Sequence, residues 1–199
     1  IADRREHPGD DLSSVLANAE LDRAPVGQSE LYSLLFLVMV AGHDTTRNGI
    51  SSGLLALLDH PDQLDALRGD PDLIETGADE IVRWTTPVNH FVRTATEDYE
   101  LRGVTIRAGE HLALFYASAN RDEEVFDTPN ELHLDRHPNR HLGFGIGEHY
   151  CLGANLARMT SGTLFRELTG RLEKVERTGK SERTASNLVA GIKHLPIRD

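Results

Sequence analysis

The chain has 199 residues, which is long enough for one sizeable hydrophobic core or two small ones. Its formal net charge is -11 and its pI is about 5.3, and no run of basic residues occurs, so the composition argues against nucleic acid and anionic membrane surfaces as partners. A single cysteine, Cys151, rules out an internal disulfide and suits a reducing compartment.

The first residues, IADRREHPGDDLSS, carry charges without an apolar segment behind them, so they do not resemble a signal peptide. The longest apolar stretch, Leu34 to Gly42, is less than half of the ~20 residues that a membrane span requires. We therefore expect no membrane anchor and a cytoplasmic location.

Residues 29–60 predict one long central helix, because apolar residues recur with helical spacing up to Pro61. Its middle, AGHDTT at 41–46, places a glycine, an acid and two hydroxyls where a buried helix would carry leucine. A threonine can bond the carbonyl four residues back and bend a helix without any other role. A buried acid is costly unless it is paired, so we expect this stretch to mark a functional site.

The range 72–84 predicts a further helix, on which Glu80 and Arg83 lie on one face. An exposed pair of this kind contributes only about 0.3 kcal/mol and is usually solvated. The pair is therefore informative only together with other motifs.

Beyond Thr85 the pattern changes to short strands. The range 98–116 predicts a small antiparallel sheet with a tight turn at Gly103. Residues 117–142 are polar and irregular, which makes an unusually long loop for a compact domain. These elements together predict a mainly α fold with a small antiparallel β component.

The glycine-rich loop 143–153 contains FGIGEHYCLG and places Cys151 just ahead of a helix predicted over 152–170. Its glycines permit positive φ and the close approach of a large flat group. A thiolate ahead of a helix is favoured by the exposed N–H groups. By default a lone cysteine is a small buried apolar residue, but these flanks favour a metal ligand.

FGIGEHYCLG resembles the haem-thiolate loop of the cytochrome P450 family. AGHDTT resembles the oxygen-binding kink in that family's central helix, and Glu80 with Arg83 resembles its ExxR pair, all in the family's order. The resemblance extends over nearly all of 1–199 and implies a partial domain, the C-terminal half of the cytochrome P450 fold. Without the family's N-terminal helices, the long helix is expected to expose apolar surface.

The resemblance implies haem b as cofactor, with Cys151 as the axial ligand of the iron. By position, the resemblance implies that Arg93 binds a haem propionate, with His149 as a second contact, and an arginine fork suits a carboxylate. The alternative for Arg93 is a surface arginine on a strand edge. The implied cofactor-binding positions are Ala41, Gly42, Arg93, Phe144, Gly145, His149, Cys151 and Gly153.

The resemblance also implies that Asp44 relays protons and that Thr45 holds the oxygen ligand, because heterolytic O–O cleavage needs two protons in a dry site. Glu80 and Arg83 are implied to form a buried structural cluster, with Arg136 as third partner and His141 as the other candidate. The implied substrate-facing positions are Val88, Asn89, Phe91, Val189 and Ala190.

We therefore expect a bacterial O2-dependent monooxygenase that takes electrons from a ferredoxin-type partner and hydroxylates a hydrophobic small molecule. The tail 171–199 resembles the closing hairpin of bacterial P450s that act on steroids, terpenes or branched lipids. Arg136, Arg140 and Arg158 are expected to form a local basic face for an acidic electron donor.

The alternative is a truncated, non-catalytic fragment that binds haem weakly or not at all. A peroxide-using relative ranks third, because it would be expected to lack the pair of Asp44 and Thr45.

Overall fold

The computed structural model describes residues 1–171 and 175–198, so residues 172–174 and 199 of the predicted tail lie outside the described residues. The chain forms two compact units, residues 1–44 and 45–199. The expected mainly α class with small antiparallel sheets is confirmed. No helix in the described ranges is long and apolar enough to cross a membrane.

The helices are α1 (Ala2–Glu6), α2 (Leu12–Ala17), α3 (Gln28–Asp59), α4 (Pro61–Gly69), α5 (Ile74–Thr85), α6 (Tyr116–Ala119) and α7 (Ala154–Arg171). Single turns of 3-10 helix cover Pro71–Leu73 and Gly147–His149. The strands are β1 (Glu20–Leu21), β2 (Ala24–Pro25), β3 (His90–Thr94), β4 (Tyr99–Leu101), β5 (Val104–Ile106), β6 (His111–Phe115), β7 (Glu176–Arg177), β8 (Glu182–Arg183), β9 (Ile192–His194) and β10 (Ile197–Arg198).

The first unit contains α1, α2, the β1–β2 pair and α3 up to Asp44. Asp11 caps α2, because its carboxylate accepts the N–H of Ser14 at 2.9 Å. Large apolar side chains of α3 are exposed here, including Phe36 at 63% and Met39 at 63%. The apolar surface expected on the long helix is therefore present in this unit.

The core of the second unit lies where the later half of α3 meets α4, α5 and α7. Its buried members are Leu57, Leu64, Leu67, Ile74, Ile81, Leu134 and Phe165. Gly53 of α3 lies between two of them, since a Cβ at this position would lie 2.6 Å from Ile81 Cγ2 and 2.8 Å from Phe165 Cζ. The missing side chain therefore lets three helices approach closely.

The predicted sheet consists of two antiparallel pairs. β3 pairs with β6, from His90 opposite Phe115 to Thr94 opposite His111, and β4 pairs with β5 around a turn in which Gly103 has a φ of 80°. Strand β3 precedes the range 98–116 from which the sheet was predicted. Its partner β6 lies beyond the β4–β5 hairpin in the sequence, so a local pattern does not reveal the pairing.

Helix α5 carries a fully buried ion pair. The side chains of Glu80 and Arg83 are both 0% exposed, and Arg83 Nε and Nη2 donate to the two Glu80 carboxylate oxygens at 2.7 and 2.8 Å. Arg83 Nη1 also donates to the carbonyls of Asn120 and Pro129, both at 2.8 Å, and Nη2 to that of Glu131 at 2.9 Å. The buried guanidinium is thus bonded by backbone as well as by its counter-ion.

The Glu80 carboxylate has three further donors, all from the irregular segment 117–142. They are the His133 N–H at 3.0 Å, Arg136 Nε at 3.1 Å and Asn139 Nδ2 at 3.0 Å. The segment is therefore held by side-chain bonds to α5, although it contains little regular secondary structure.

Gly53→Ala is expected to lower the free energy of unfolding by about 1–3 kcal/mol, because the added methyl group overpacks the contact of α3 with α5 and α7. Gly162→Ala in α7 is the matched control. Its Cβ would meet only Ile74 Cγ1, at 3.9 Å, so this change should stabilise by about 0.5–1 kcal/mol through helix propensity. Urea unfolding of both variants gives the two values, and equal effects would contradict the packing described.

Glu80→Ala is expected to cost about 3–5 kcal/mol, because it leaves the Arg83 guanidinium buried without its counter-ion. The control is Glu167→Ala on α7, whose pair with Arg171 at 2.9 Å is exposed on both sides, at 57% and 79%, and should be neutral. Thermal unfolding monitored by circular dichroism compares the two. A Glu80 variant as stable as the control would contradict this account.

Candidate functional site

Cys151 lies at the end of a short loop closed by backbone hydrogen bonds. Its N–H donates to the carbonyl of Phe144 at 2.9 Å, and the N–H of Gly145 donates to that of Leu142 at 2.8 Å. Gly145 and Gly147 have φ values of 72° and 74°, which other residues adopt only at a cost. The path of the loop around Cys151 therefore depends on its glycines.

The thiol of Cys151 is exposed and precedes α7, where the N–H of Ala154 donates to the Cys151 carbonyl at 3.2 Å. Ile146 and Leu152, exposed at 77% and 84%, form an apolar rim near it, and Glu148 and His149 are exposed polar residues of the same loop. A Cβ on Gly147 would meet no atom within 4 Å, so a flat group could approach closely. An open approach, an apolar rim and an exposed thiol together fit a haem held by a thiolate.

Asn120 joins this loop to the buried ion pair of α5. It is 0% exposed, and its carbonyl accepts from Arg83 Nη1 at 2.8 Å while its side-chain oxygen accepts the N–H of Leu142 at 2.7 Å. Its Nδ2 donates to the hydroxyl of Thr86 at 2.9 Å. Asn120 is not predictable from the sequence, because nothing in a polar loop distinguishes one asparagine from its neighbours.

Asp79, the residue before Glu80, makes a second connection to the loop. Its Oδ1 accepts from His141 Nε2 at 3.0 Å and from Arg158 Nε at 2.7 Å. Burial raises the pKa of Asp79, but the hydrogen bonds from His141 and Arg158 outweigh burial and hold that pKa below its usual value. His141, the other candidate for the Glu80 cluster, therefore bonds to Asp79 instead.

Arg93 and His149, the positions implied to bind propionates, are both exposed. Arg93 lies on β3, and its Nη1 donates to the Val92 carbonyl at 3.0 Å. Tyr116 connects this strand with the cysteine loop: its ring lies 6.0 Å from that of Phe91, and its hydroxyl lies 3.8 Å from the Cβ position of Gly145. Strand β3 is thus near the loop.

The implied substrate-facing residues come together through backbone pairing of two distant segments. Val88 forms an antiparallel bridge with Val189, the Asn89 N–H donates to the Leu188 carbonyl at 2.8 Å, and the Ala190 N–H donates to the Pro87 carbonyl at 3.0 Å. Phe91 follows on β3 and is 47% exposed. The segments 87–91 and 187–190 are therefore neighbours.

In the AGHDTT stretch, Ala41, Gly42 and Asp44 are exposed and Thr45 is half-buried. The expectation that Asp44 is a buried acid is therefore wrong for the described residues. The apolar side chains of Phe36 and Leu37 on the preceding turns of α3 are also more than half exposed, at 63% and 61%. Asp44 is therefore exposed because nothing among the described residues covers these turns of the helix.

The basic face expected from three arginines is reduced to one exposed side chain. Arg136 is 9% exposed and bonded to Glu80, and Arg158 is 31% exposed and bonded to Asp79. Arg140 is exposed. Internal carboxylates therefore occupy two of the three guanidinium groups.

The comparisons with known proteins identify the family of the chain. The family model for cytochrome P450 matches residues 73–173. The chain is 46% identical over 197 residues to a methyl-branched lipid omega-hydroxylase of Mycobacterium tuberculosis, covering 98% of this chain and 46% of that protein. It is 43% identical over 196 residues to a steroid C26-monooxygenase of the same species, covering 98% and 45%.

Among solved structures, the chain superposes on the Mycobacterium marinum cytochrome P450 CYP268A2 in complex with pseudoionone with a TM-score of 0.93 and 46% identity, covering 98% of this chain and 48% of that one. The chain thus spans about half the length of the relatives it matches. The family match, the identities and the shared fold show that this chain belongs to the cytochrome P450 family.

Proposed function

We propose that the protein is a haem-thiolate monooxygenase that hydroxylates a hydrophobic small molecule. The observation that carries the proposal is Cys151, the only cysteine, whose thiol is exposed at the end of a glycine-dependent loop tied to the buried ion pair of α5. The overall reaction uses dioxygen, two electrons and two protons. One oxygen atom enters a C–H bond of the substrate and the other leaves as water.

In this proposal Cys151 holds the iron of haem b as a thiolate, and Phe144, Gly145 and Gly153 lie against the cofactor. Arg93 and His149 bind its propionates, for which an exposed guanidinium and imidazole are suitable donors. When bound, the haem supplies dioxygen activation and oxygen transfer, which thiolate ligation favours.

Asp44 and Thr45 are proposed to handle protons. The exposed Asp44 carboxyl can exchange protons with solvent, and the half-buried Thr45 hydroxyl can both donate and accept a hydrogen bond. Ala41 and Gly42 leave room beside them, since a Cβ on Gly42 would meet no atom within 4 Å.

We infer a steroid, terpene or branched lipid as the substrate class. The names of the two mycobacterial relatives support a steroid or a branched lipid. Four apolar side chains, those of Val88, Phe91, Val189 and Ala190, are proposed to face the substrate, with Asn89 as the polar group among them. A ferredoxin-type protein is proposed as electron donor, with Arg140 as one exposed contact for its acidic surface.

One observation favours the second candidate, in which the isolated chain holds haem weakly or not at all. Phe36, Leu37 and Met39 are 61–63% exposed on α3, so the helix that carries AGHDTT has an uncovered apolar surface. Spectroscopy of the isolated chain distinguishes the two candidates.

The chain is first mixed with haem, then reduced with dithionite under carbon monoxide, and its absorption spectrum is recorded. It is expected to show the strongly red-shifted Soret band of a thiolate-ligated haem. Cys151→Ala should lose this band, because it removes the ligand. Thr45→Ala should keep it, because Thr45 lies on a different element. A conventional haem-carbonyl band, or no bound haem, in the unmodified chain would support the second candidate.

Thr45→Ala in the longest polypeptide that the gene encodes is expected to lower the product formed per electron pair by at least about tenfold, because protons no longer arrive in step with electrons. A panel of steroids and methyl-branched lipids provides the substrates, and oxygen and product are measured together. Thr46→Ala removes the neighbouring half-buried hydroxyl and should leave this ratio unchanged. Equal coupling in both variants would count against the role of Thr45.

A further inference from the structure

A single carboxylate oxygen joins the two ends of the cysteine loop to α5. Asp79 Oδ1 accepts from His141 Nε2, which precedes the loop, at 3.0 Å, and from Arg158 Nε, on α7 after the loop, at 2.7 Å. His141 is itself fixed, since its Nδ1 accepts the N–H of Gly143 at 3.0 Å. Because the His141 side chain is 3% exposed and that of Asp79 only 28%, solvent competes little for these bonds.

The partners of Asp79 surround the ring of Phe144. The guanidinium carbon of Arg158 lies 4.6 Å from the ring centroid, within the range of a cation–π interaction, and the His141 ring lies 5.5 Å away. Arg158 Nη1 also donates to the hydroxyl of Tyr150 at 3.2 Å, and the ring of Tyr150 lies 6.4 Å from that of Phe144. Phe144 is thus held by groups that Asp79 orients.

The same residue, Phe144, holds the proposed iron ligand through its backbone, because its carbonyl accepts the N–H of Cys151 at 2.9 Å. Burial lowers the pKa of Arg158, but its hydrogen bonds to Tyr150 and Asp79 outweigh burial and raise that pKa above its usual value. Both members of the pair therefore remain charged around neutral pH. A fixed positive and a fixed negative charge stand next to the cysteine loop.

We propose that Asp79 and Arg158 are positioning residues for the Cys151 thiolate, which hold the loop through Phe144 and set the local electric field at the sulfur. The effect on the thiolate as an iron ligand rests on the monooxygenase function proposed above. The effect on the position of the loop does not, because it depends only on contacts within the polypeptide. Two measurements therefore test the proposal, one with haem and one without.

With haem bound, the two charges should shift the reduction potential of the iron in opposite directions. Arg158→Met removes the cation and leaves Asp79 negative, which favours the oxidised iron and lowers the potential. Asp79→Asn keeps an oxygen that can accept hydrogen bonds but removes the negative charge, so the potential should rise. The double variant should return close to the unmodified protein. Shifts of the same sign in both single variants would overturn the electrostatic part of the proposal.

The matched control is the ion pair of Asp72 and Arg166, which also links the start of the α5 region to α7. Its atoms are 3.0 Å apart and its side chains are 78% and 46% exposed, so solvent screens it. Asp72→Asn and Arg166→Met should leave the reduction potential unchanged. A shift as large as that in the Asp79 and Arg158 variants would show a general effect of charge.

Without haem, amide hydrogen exchange tests the positioning directly. Asp79→Ala should speed amide exchange at Gly145 and Cys151, whose N–H groups close the loop. Asp79→Asn should speed this exchange less, and Asp72→Ala should leave it unchanged. Unchanged protection in Asp79→Ala would overturn the proposal. If the unmodified chain fails to bind haem through the thiolate, the monooxygenase function fails for this chain, and the exchange measurement decides the positioning role by itself.

Discussion

The buried pair of Glu80 and Arg83 is the interaction on which the rest of the second unit depends. Removing a carboxylate and a guanidinium from water costs several kcal/mol for each ion, which is offset only when the remaining lone pairs and N–H groups are bonded. Here the irregular segment 117–142 supplies those bonds, through carbonyls to Arg83 and through Arg136 and Asn139 to Glu80. The pair and the segment therefore stabilise each other, which explains how a segment with little secondary structure keeps one shape.

Two sets of hydrogen bonds connect α5 with the loop that contains Cys151. Asn120 bonds Arg83 on one side and the N–H of Leu142 on the other, and Asp79 bonds residues before and after the loop. The position of the proposed iron ligand thus depends in part on contacts made by residues of α5, a different element. A substitution in α5 can therefore change the surroundings of the thiol without touching the loop, as expected when a functional residue lies on a loop held by a rigid scaffold.

The sequence predicted the three longest of the described helices, α3, α5 and α7, and the position of the loop, because helical periodicity, glycines and a single cysteine are local signals. A strand at Arg93 was among its alternatives, but the pairing of β3 with the distant β6 was not predicted. The roles of Asp79 and Asn120 were not predicted either, because spacing alone does not separate a buried polar residue from a solvated one. The prediction that Asp44 is buried is wrong for a related reason. Periodicity shows which face of a helix is apolar, but not which surface covers it.

The two halves of α3 differ in what packs against them. From Thr45 onward the helix buries Leu55 and Leu57, at 4% and 0% exposure, whereas Phe36 and Met39 remain 63% exposed. Burying one such side chain contributes about 1.5–3 kcal/mol, so the exposed turns have a strong tendency to bind another apolar surface. The cysteine loop, its ion pairs and the core all lie within residues 45–199. The thiolate ligation proposed for Cys151 therefore depends on a unit with its own core, whereas Ala41, Gly42 and Asp44 lie on a stretch of helix that exposes Phe36 and Met39.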